Sequence, residues 1–227
     1  MNVIISAFWG EGPSDERFLP KIIHRALEDL LFKCAQGEWD VFEPVILTTN
    51  ELHFPEQVAD IAKKAKGFTL VFIHTDADAR STSEKAFPYK INPALELLSQ
   101  LSDEEACKHI IPVIPVTKME SWKLADFDAL QELLGVQLDA KALGMDKKAM
   151  YLEQSANVKV LFDNVLKAAG ESRGRRRSNP NASDVDEALA KMVSMDKLKQ
   201  LNSFREFLDA LKTTLVQLNI IEKECDP

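Results

Sequence analysis

Hydrophobic positions in the first 135 residues follow two alternating patterns. Short apolar runs rich in β-branched residues have the length of strands and lie at 3–8, 41–47, 68–74 and 110–116. Elsewhere apolar residues recur every three or four positions, which predicts helices over 14–32, 56–66, 93–106 and 124–134. Strands that alternate with helices favour an α/β fold with a doubly wound, mainly parallel sheet flanked by helices.

The third run is the most continuous, and it ends in the acidic pair Asp76 and Asp78. A run of this kind is typical of a strand buried on both faces, and therefore of the middle of a parallel sheet. Ligands of such sheets bind beyond the carboxyl ends of the strands. Two carboxylates this close repel each other unless a cation, a proton or a basic partner lies between them, and a hard divalent metal is the expected occupant. The alternative is that both aspartates cap the next turn.

Further acids follow the other strands. Glu11 and Asp15 come after the first run, and Glu120 comes after the fourth. Because the carboxyl ends of parallel strands share one edge of the sheet, we expect these side chains to share one pocket. Single acids near turns are usually solvated caps, whereas a set at consecutive strand ends predicts a metal site. The predicted metal ligands are Glu11, Asp15, Asp76, Asp78 and Glu120.

The pattern changes after about residue 145. An amphipathic stretch over 158–169 precedes a polar, basic loop over 171–180, and leucines then recur every three or four positions from 198 to 218. We predict a sheet domain over 1–145 and a helical subdomain over 146–227. The leucine stripe packs either on the sheet domain or on a partner, such as a second copy of the chain.

Composition narrows the class of protein. The 227 residues are 45% hydrophobic and 28% charged, as in ordinary globular proteins, and the net charge of −8 repels polyanions, so nucleic acid would bind through a local basic patch or through metal. The three cysteines have no metal-ligand spacing, which favours reduced thiols. The apolar start is too short to span a membrane. These features predict a cytoplasmic protein.

Two motifs resemble a known family. The segments Glu-Gly-Pro-Ser-Asp at 11–15 and His-Thr-Asp-Ala-Asp at 74–78 resemble the signature motifs of Toprim domains, which occur in topoisomerases, primases and OLD-family nucleases. With Met-Glu-Ser-Trp at 119–122 and Leu-Ala-Asp at 124–126, the chain is similar to stand-alone bacterial Toprim-like proteins of the RloB type. The resemblance covers about residues 3–135 and implies a Toprim-like, Rossmann-like fold.

The resemblance also implies site roles. Glu11 matches the motif glutamate, a metal ligand or general acid/base, and Asp76 and Asp78 match the metal-binding pair. Asp15 falls where OLD-type enzymes place a second acid, and Glu120 falls in the Glu-x-Trp of the stand-alone family. A topoisomerase-type third aspartate, a catalytic tyrosine context and a P-loop for ATP hydrolysis are absent from the sequence. The implied function is a Mg²⁺- or Mn²⁺-dependent nuclease that acts in phage defence beside an ABC- or OLD-type ATPase.

Other residues admit two interpretations each. Lys118, or else Lys123, is expected to neutralise transition-state charge. His74 is either a general base or a packed core histidine, and Trp122 either stacks on a base or anchors the helix after it. The basic cluster either grips phosphates or is a solvated linker; its members are Arg173, Arg175, Arg176 and Arg177.

Two other functions fit parts of the sequence. A non-catalytic Toprim-like adaptor of an ATPase complex would use the leucine stripe for docking. A receiver-like or flavodoxin-type domain explains the alternation of strands and helices but gives no reason for Glu120.

Overall fold

The computed structural model describes residues 2–77, 86–146, 148–172 and 182–224. Within them, the strands are β1 (Asn2–Ile4), β2 (Ser6–Trp9), β3 (Trp39–Val41), β4 (Val45–Ile46), β5 (Leu70–His74) and β6 (Ile110–Val113). The longer helices are α1 (Pro13–Cys34), α2 (Phe54–Lys64), α3 (Asn92–Ser99), α5 (Phe127–Leu134), α6 (Val158–Ser172), α7 (Ala182–Met192) and α9 (Asn202–Gln217). Two single-turn helices are α4 (Glu120–Lys123) and α8 (Met195–Leu198).

The main sheet has four parallel strands in the order β4, β2, β5, β6. The third apolar run forms β5, which lies between β2 and β6 and is buried along its whole length. The predicted α/β fold with a parallel sheet and flanking helices is therefore confirmed, and so is the position of this run inside the sheet.

The first two apolar runs each form two strands rather than one. The first is interrupted at Ile5, so that β1 pairs with β3 in a separate two-stranded parallel sheet while β2 joins the main sheet. At this break the Ile5 amide donates to the Thr69 hydroxyl at 3.3 Å. The second run is interrupted before Val45 by Pro44, which has no amide hydrogen to give to a sheet. Each of these two predicted strands therefore contributes to both sheets.

Helices cover both faces of the main sheet. On one face, the side chains of Ala7, Trp9, Val71 and Ile73 form a core with α2 and α3. Because neighbouring residues of a strand point to opposite faces, Phe8 and Phe72 lie on the other face, where the Phe72 ring meets Phe207 edge-to-face at 6.2 Å. This arrangement is doubly wound.

The chain divides into two compact units. The sheet unit comprises Met1–Thr75, Glu84–Ile114 and Glu206–Pro227, and the helical unit comprises Asp76–Ser83 and Pro115–Arg205. The two units are defined by their compactness alone. The division by role into 1–145 and 146–227 stays a prediction.

Carboxylates hold the helical unit together at helix starts. Glu153 is 2% exposed and accepts hydrogen bonds from the amides of Asn202 and Ser203, both at 2.9 Å, where α9 begins. Asp126 caps α5 through the Ala129 amide and also accepts from the Ser194 amide at 2.9 Å. Amides in the first turn of a helix have no partner within the helix, so each buried carboxylate satisfies groups that would otherwise be costly to bury.

The cysteines differ from the prediction of three reduced thiols. Cys34 is disulfide-bonded, so the prediction is wrong for this residue. Cys107 is a free thiol that is 5% exposed and donates to the Phe68 carbonyl at 3.3 Å. Cys225 lies outside the described residues. The cysteines therefore no longer indicate a reducing compartment.

We expect Cys107 to resist alkylation in the native protein. Burial raises the pKa of this thiol, and the thiolate is the reactive species. Its reaction with iodoacetamide at pH 8 should be at least about tenfold slower in buffer than in denaturant. Mass spectrometry of the Cys107 peptide measures the two rates. Equal rates would contradict the burial of this residue.

The same shift predicts a pH dependence of stability. The folded protein holds the Cys107 proton to higher pH than the unfolded chain does, so this contribution is complete below about pH 8.5 and is lost as pH rises through the raised pKa. The unfolding free energy of wild type should therefore fall more steeply above pH 8.5 than that of Cys107→Ala. Parallel pH profiles would contradict the shift.

None of the helices in the described part of the chain combines the length and apolar character that a membrane crossing needs.

Candidate functional site

The turn between β2 and α1 is shaped by a carboxylate. Gly12 caps α1, and the Asp15 carboxylate reaches back to accept from the Gly12 amide at 2.8 Å. Gly12 has no side chain that could cap the helix, so the bond from its own amide to Asp15 is the side-chain contact at this end of α1. A Cβ at Gly10 would lie 2.9 Å from the Asp15 Cβ, so the turn needs glycine there. The turn holds Glu11 just beyond β2.

Glu11 lies at the point where the strand order reverses. The chain passes from β2 outward to β4 and then returns to β5 on the other side of β2. In parallel sheets this switch point, at the carboxyl ends, is where ligands bind. The Thr75 hydroxyl, directly after β5, donates to the Glu11 carboxylate at 2.7 Å. Thr75 is followed in the chain by Asp76, the first residue of the acidic pair.

Lys90 is the residue that sequence reasoning missed. It comes from a π-helical turn, Phe87–Ile91, and its ammonium donates to the Thr75 hydroxyl at 2.6 Å and lies 3.6 Å from the Glu11 carboxylate. Glu11 and Lys90 have side chains 49% and 32% exposed, so both are accessible to a ligand. Single π turns are frequent at functional sites, but no hydrophobic pattern marks one in the sequence.

His74 is a packed histidine with a defined orientation. Its side chain is 2% exposed, and Nδ1 lies 3.0 Å from the Val113 carbonyl, which can only accept, so Nδ1 carries a proton in this bond. Nε2 lies 3.5 Å from the Asp15 carboxylate. Asp15 therefore has two neighbours that fix it, the Gly12 amide and the His74 ring. Its role as a metal ligand stays a prediction.

In the helical unit, Asp76 is paired with Lys118. The Lys118 ammonium donates to Asp76 at 3.4 Å, and the two side chains are 45% and 22% exposed. Thr117, directly before Lys118, has a positive φ of 57°, which is rare for a β-branched residue. Strain of this kind accumulates near functional sites. The structure thus places two residues of the predicted site, Asp76 and Lys118, in contact.

The residues after Lys118 have structural partners. Glu120 is partly buried and begins α4. Trp122 is fully buried, donates to the Ser203 hydroxyl at 2.8 Å and meets Phe204 edge-to-face, so it is an anchor and not a stacking surface for a base. Lys123 is 1% exposed and pairs with Asp186 at 2.5 Å, so it is not available to a substrate.

Several predicted residues cannot be placed. Asp78 and the basic cluster Arg173, Arg175, Arg176 and Arg177 lie outside the described residues. In the part of the chain that is described, no group of three or more His, Cys, Asp or Glu side chains could hold a metal ion. Because that part omits Asp78, the predicted ligand set stays a prediction.

The donor chemistry of the edge fits a hard divalent cation. Within the sheet unit, Glu11 and Thr75 offer a carboxylate and a hydroxyl oxygen, and within the helical unit Asp76 offers another carboxylate. Oxygens of these kinds are the ligand type that Mg²⁺ and Mn²⁺ prefer. Glu11 is half-exposed at a strand end, so it can reach a ligand without leaving a core. The Lys90 ammonium lies 3.6 Å from the Glu11 carboxylate, and the Lys118 ammonium lies 3.4 Å from the Asp76 carboxylate. Each of these acids therefore already has a positively charged neighbour.

A parallel sheet with an acid at its switch point defines an α/β protein with a candidate polar site at the carboxyl edge. The chain belongs to the family described as Domain of unknown function (DUF4276), which matches residues 10–212. A search of curated proteins found no match. Among solved structures, the chain is similar to the C-terminal region of the OLD protein of Xanthomonas campestris pv. campestris, with 15% identity, a TM-score of 0.42, and coverage of 94% of this chain and 97% of that chain. The fold described above rests on strand order and packing.

Proposed function

We propose that this protein is a Toprim-type nuclease that hydrolyses phosphodiester bonds of DNA or RNA with Mg²⁺ or Mn²⁺. One observation carries the proposal: the acid after β2, Glu11, is hydrogen-bonded to Thr75 at the end of β5, and the acidic pair begins at the next residue. This is the position in a parallel sheet at which ligands bind. The motifs over 11–15 and 74–78 add the resemblance to Toprim domains.

The proposed ligands of the cation are Glu11, Asp76 and Asp78, with Asp15 and Glu120 in support. When bound, the cation would supply an activated water and stabilise charge on phosphate oxygens. Lys118 and Lys90 would attract the phosphate and neutralise charge that develops on it. The arginines 173 and 175–177 would bind flanking phosphates, which a chain of net charge −8 otherwise repels. We further propose a setting in phage defence with an ATPase partner.

The proposal is tested by cleavage of single- and double-stranded DNA and RNA with Mn²⁺. Wild type should cleave at least one substrate, and Asp76→Ala with Asp78→Ala should abolish cleavage. Asp40→Ala, at an exposed residue outside the proposed site, is the matched control and should cleave as wild type does. If wild type and the double variant behave alike, the protein is not a nuclease of this type.

A second candidate function is a non-catalytic adaptor. It is favoured by the lysine beside each of two predicted acids, since Lys90 and Lys118 neutralise Glu11 and Asp76 without metal. An adaptor of this kind would dock on an ATPase or on a second copy of itself. Calorimetry with Mn²⁺ and measurement of molecular mass separate the two: a dimer without metal affinity supports the adaptor, and a metal-binding protein supports the nuclease.

We expect Lys90→Met to bind Mn²⁺ more tightly than wild type does. The ammonium 3.6 Å from Glu11 competes with a cation for the same carboxylate, so its removal should raise affinity by up to about fivefold, the equivalent of a partly exposed ion pair. Lys66→Met removes an exposed charge elsewhere and should leave affinity unchanged. Weaker binding in Lys90→Met would exclude a cation at Glu11.

A further inference from the structure

A cleft of about 490 Å³ opens beyond the carboxyl ends of β2 and β4, all of it within the sheet unit. We call it the β2–β4 cleft. Glu11 and Lys90 are among the residues that line it, and so are Leu52, Phe54 and Gln57. Clefts of about 300–1,000 Å³ hold one small organic ligand, and a single nucleotide is of that size.

The walls suit the flat face of a base. Phe54 lines the cleft and is partly exposed, and its ring packs edge-to-face on Trp9 with centroids 5.6 Å apart, while Trp9 itself is 7% exposed and belongs to the core. Leu52 is 87% exposed and adds an accessible apolar side chain to the lining. Bases stack on aromatic and apolar surfaces whatever their sequence, at about 1–3 kcal/mol per base. The apolar side chains of the cleft, Leu52 and Phe54, therefore match a base better than they match a sugar or a phosphate.

Polar groups in the cleft can bond the edge of a base. Thr48, Thr49 and Gln57 line it. The Gln57 amide donates to the Glu51 carbonyl at 2.9 Å, which fixes its orientation. An amide side chain has two donor hydrogens and an acceptor oxygen, so this bond leaves others for a ligand. Polar groups held in place beside apolar side chains are typical of sites that select a ligand.

The charge of the cleft requires a cation before a phosphate binds. Glu11 and Glu16 line it against one lysine, Lys90, so its lining carries one excess negative charge. A phosphate monoester alone is repelled by that excess. A divalent cation bound at Glu11 would change the net charge of the lining from negative to positive. Phosphate affinity should therefore depend on the cation, whereas the apolar contacts of the base should not.

We propose that the β2–β4 cleft is a nucleotide subsite that takes the base and sugar of one unpaired nucleotide, with its phosphate at Glu11 and Lys90. This inference rests on the nuclease activity proposed above, and it names the substrate class as single-stranded or frayed nucleic acid. A base inside a duplex reaches the cleft only after unstacking, which costs a few kcal/mol.

The test measures the binding of thymidine 5′-monophosphate to the full chain in the presence of Mg²⁺. Saturation-transfer NMR, in which the protein is irradiated, shows which protons of the nucleotide contact it. Saturation should be strongest on the protons of the base, and affinity should fall at least fivefold in Leu52→Ala with Gln57→Ala. Phe32→Ala removes another exposed apolar side chain, 92% exposed and outside the cleft, and should change nothing. Removal of Mg²⁺ with a chelator should weaken binding in wild type.

Cleavage separates this inference from the proposed function. If wild type cleaves nucleic acid but the Leu52→Ala, Gln57→Ala protein binds the mononucleotide as wild type does, the subsite is wrong and the nuclease stands. Equal cleavage of blunt duplex and single strand would also overturn the subsite. If wild type cleaves nothing while Leu52-dependent nucleotide binding persists, the nuclease fails and the cleft remains a nucleotide site.

Discussion

We expect the Glu11→Gln protein to lose at least about a hundredfold of its Mn²⁺-dependent cleavage. Glutamine keeps a carbonyl oxygen that can accept from the Thr75 hydroxyl, so the geometry of the turn should survive. What disappears is the negative charge at the switch point, and with it the group that would bind a cation. Initial cleavage rates measured over a range of Mn²⁺ concentrations separate a loss of metal affinity from a loss of turnover.

The control for this variant is Glu38→Gln, which removes the same charge from an exposed residue. Its cleavage should equal that of wild type. Both variants should unfold within about 1 kcal/mol of wild type, because the ion pair of Glu11 with Lys90 is partly exposed. A Glu11→Gln protein that cleaves at the wild-type rate would remove Glu11 from the proposed site.

Replacing Lys123 by Met should destabilise the protein by about 3–5 kcal/mol. Lys123 and Asp186 are 1% and 0% exposed, and the ammonium also lies 5.3 Å from the centre of the Phe162 ring. Methionine fills a similar volume but leaves the Asp186 carboxylate buried without its counter-charge. Chemical denaturation of both proteins at pH 7 measures the difference in unfolding free energy.

The double variant Lys123→Met with Asp186→Leu should recover most of that loss. Removing both charges of a buried pair is often neutral or stabilising, whereas removing one is costly. Lys191→Met is the matched control, since Lys191 pairs with Glu187 at 2.9 Å on the surface of α7. It should cost less than about 1 kcal/mol. A Lys123→Met protein as stable as this control would contradict the buried ion pair.

The sequence predicts those parts of the fold in which the burial of each side chain is visible in the pattern of neighbouring residues. Residues 70–73 are apolar without a break because both faces of β5 are covered, and the pattern shows this directly. Gly135 ends α5 in the left-handed conformation, as its position after the leucines predicts. The helix predicted over 93–106 ends early, at Ser99. There the Leu98 carbonyl accepts from the Leu101 amide at 3.1 Å and from the Lys108 ammonium at 2.6 Å. The Ser102 amide, which would continue the helix, donates to the Glu105 carboxylate instead.

The sequence predicts the kind of site, an acidic one at the edge of the sheet, but it does not predict all of the residues at that edge. Acids directly after strands mark an edge that binds ligands, which is how Glu11 and Asp76 are found. Lys90 has no such mark, because its π turn follows no periodic pattern. Lys118 and Lys123 look alike in sequence, yet one is accessible beside Asp76 and the other is buried against Asp186.

By itself, the sequence determined the alternation of strands and helices, the buried character of β5 and the acids at strand ends. Each of these follows from residue type and spacing within a few turns of chain. Only the tertiary structure decided that β2 lies between β4 and β5, that Glu11 meets Thr75 across 64 residues, and that Lys123 meets Asp186 across 63. Such contacts depend on the burial and charge of both partners at once, and no local pattern records a partner that is distant in the chain.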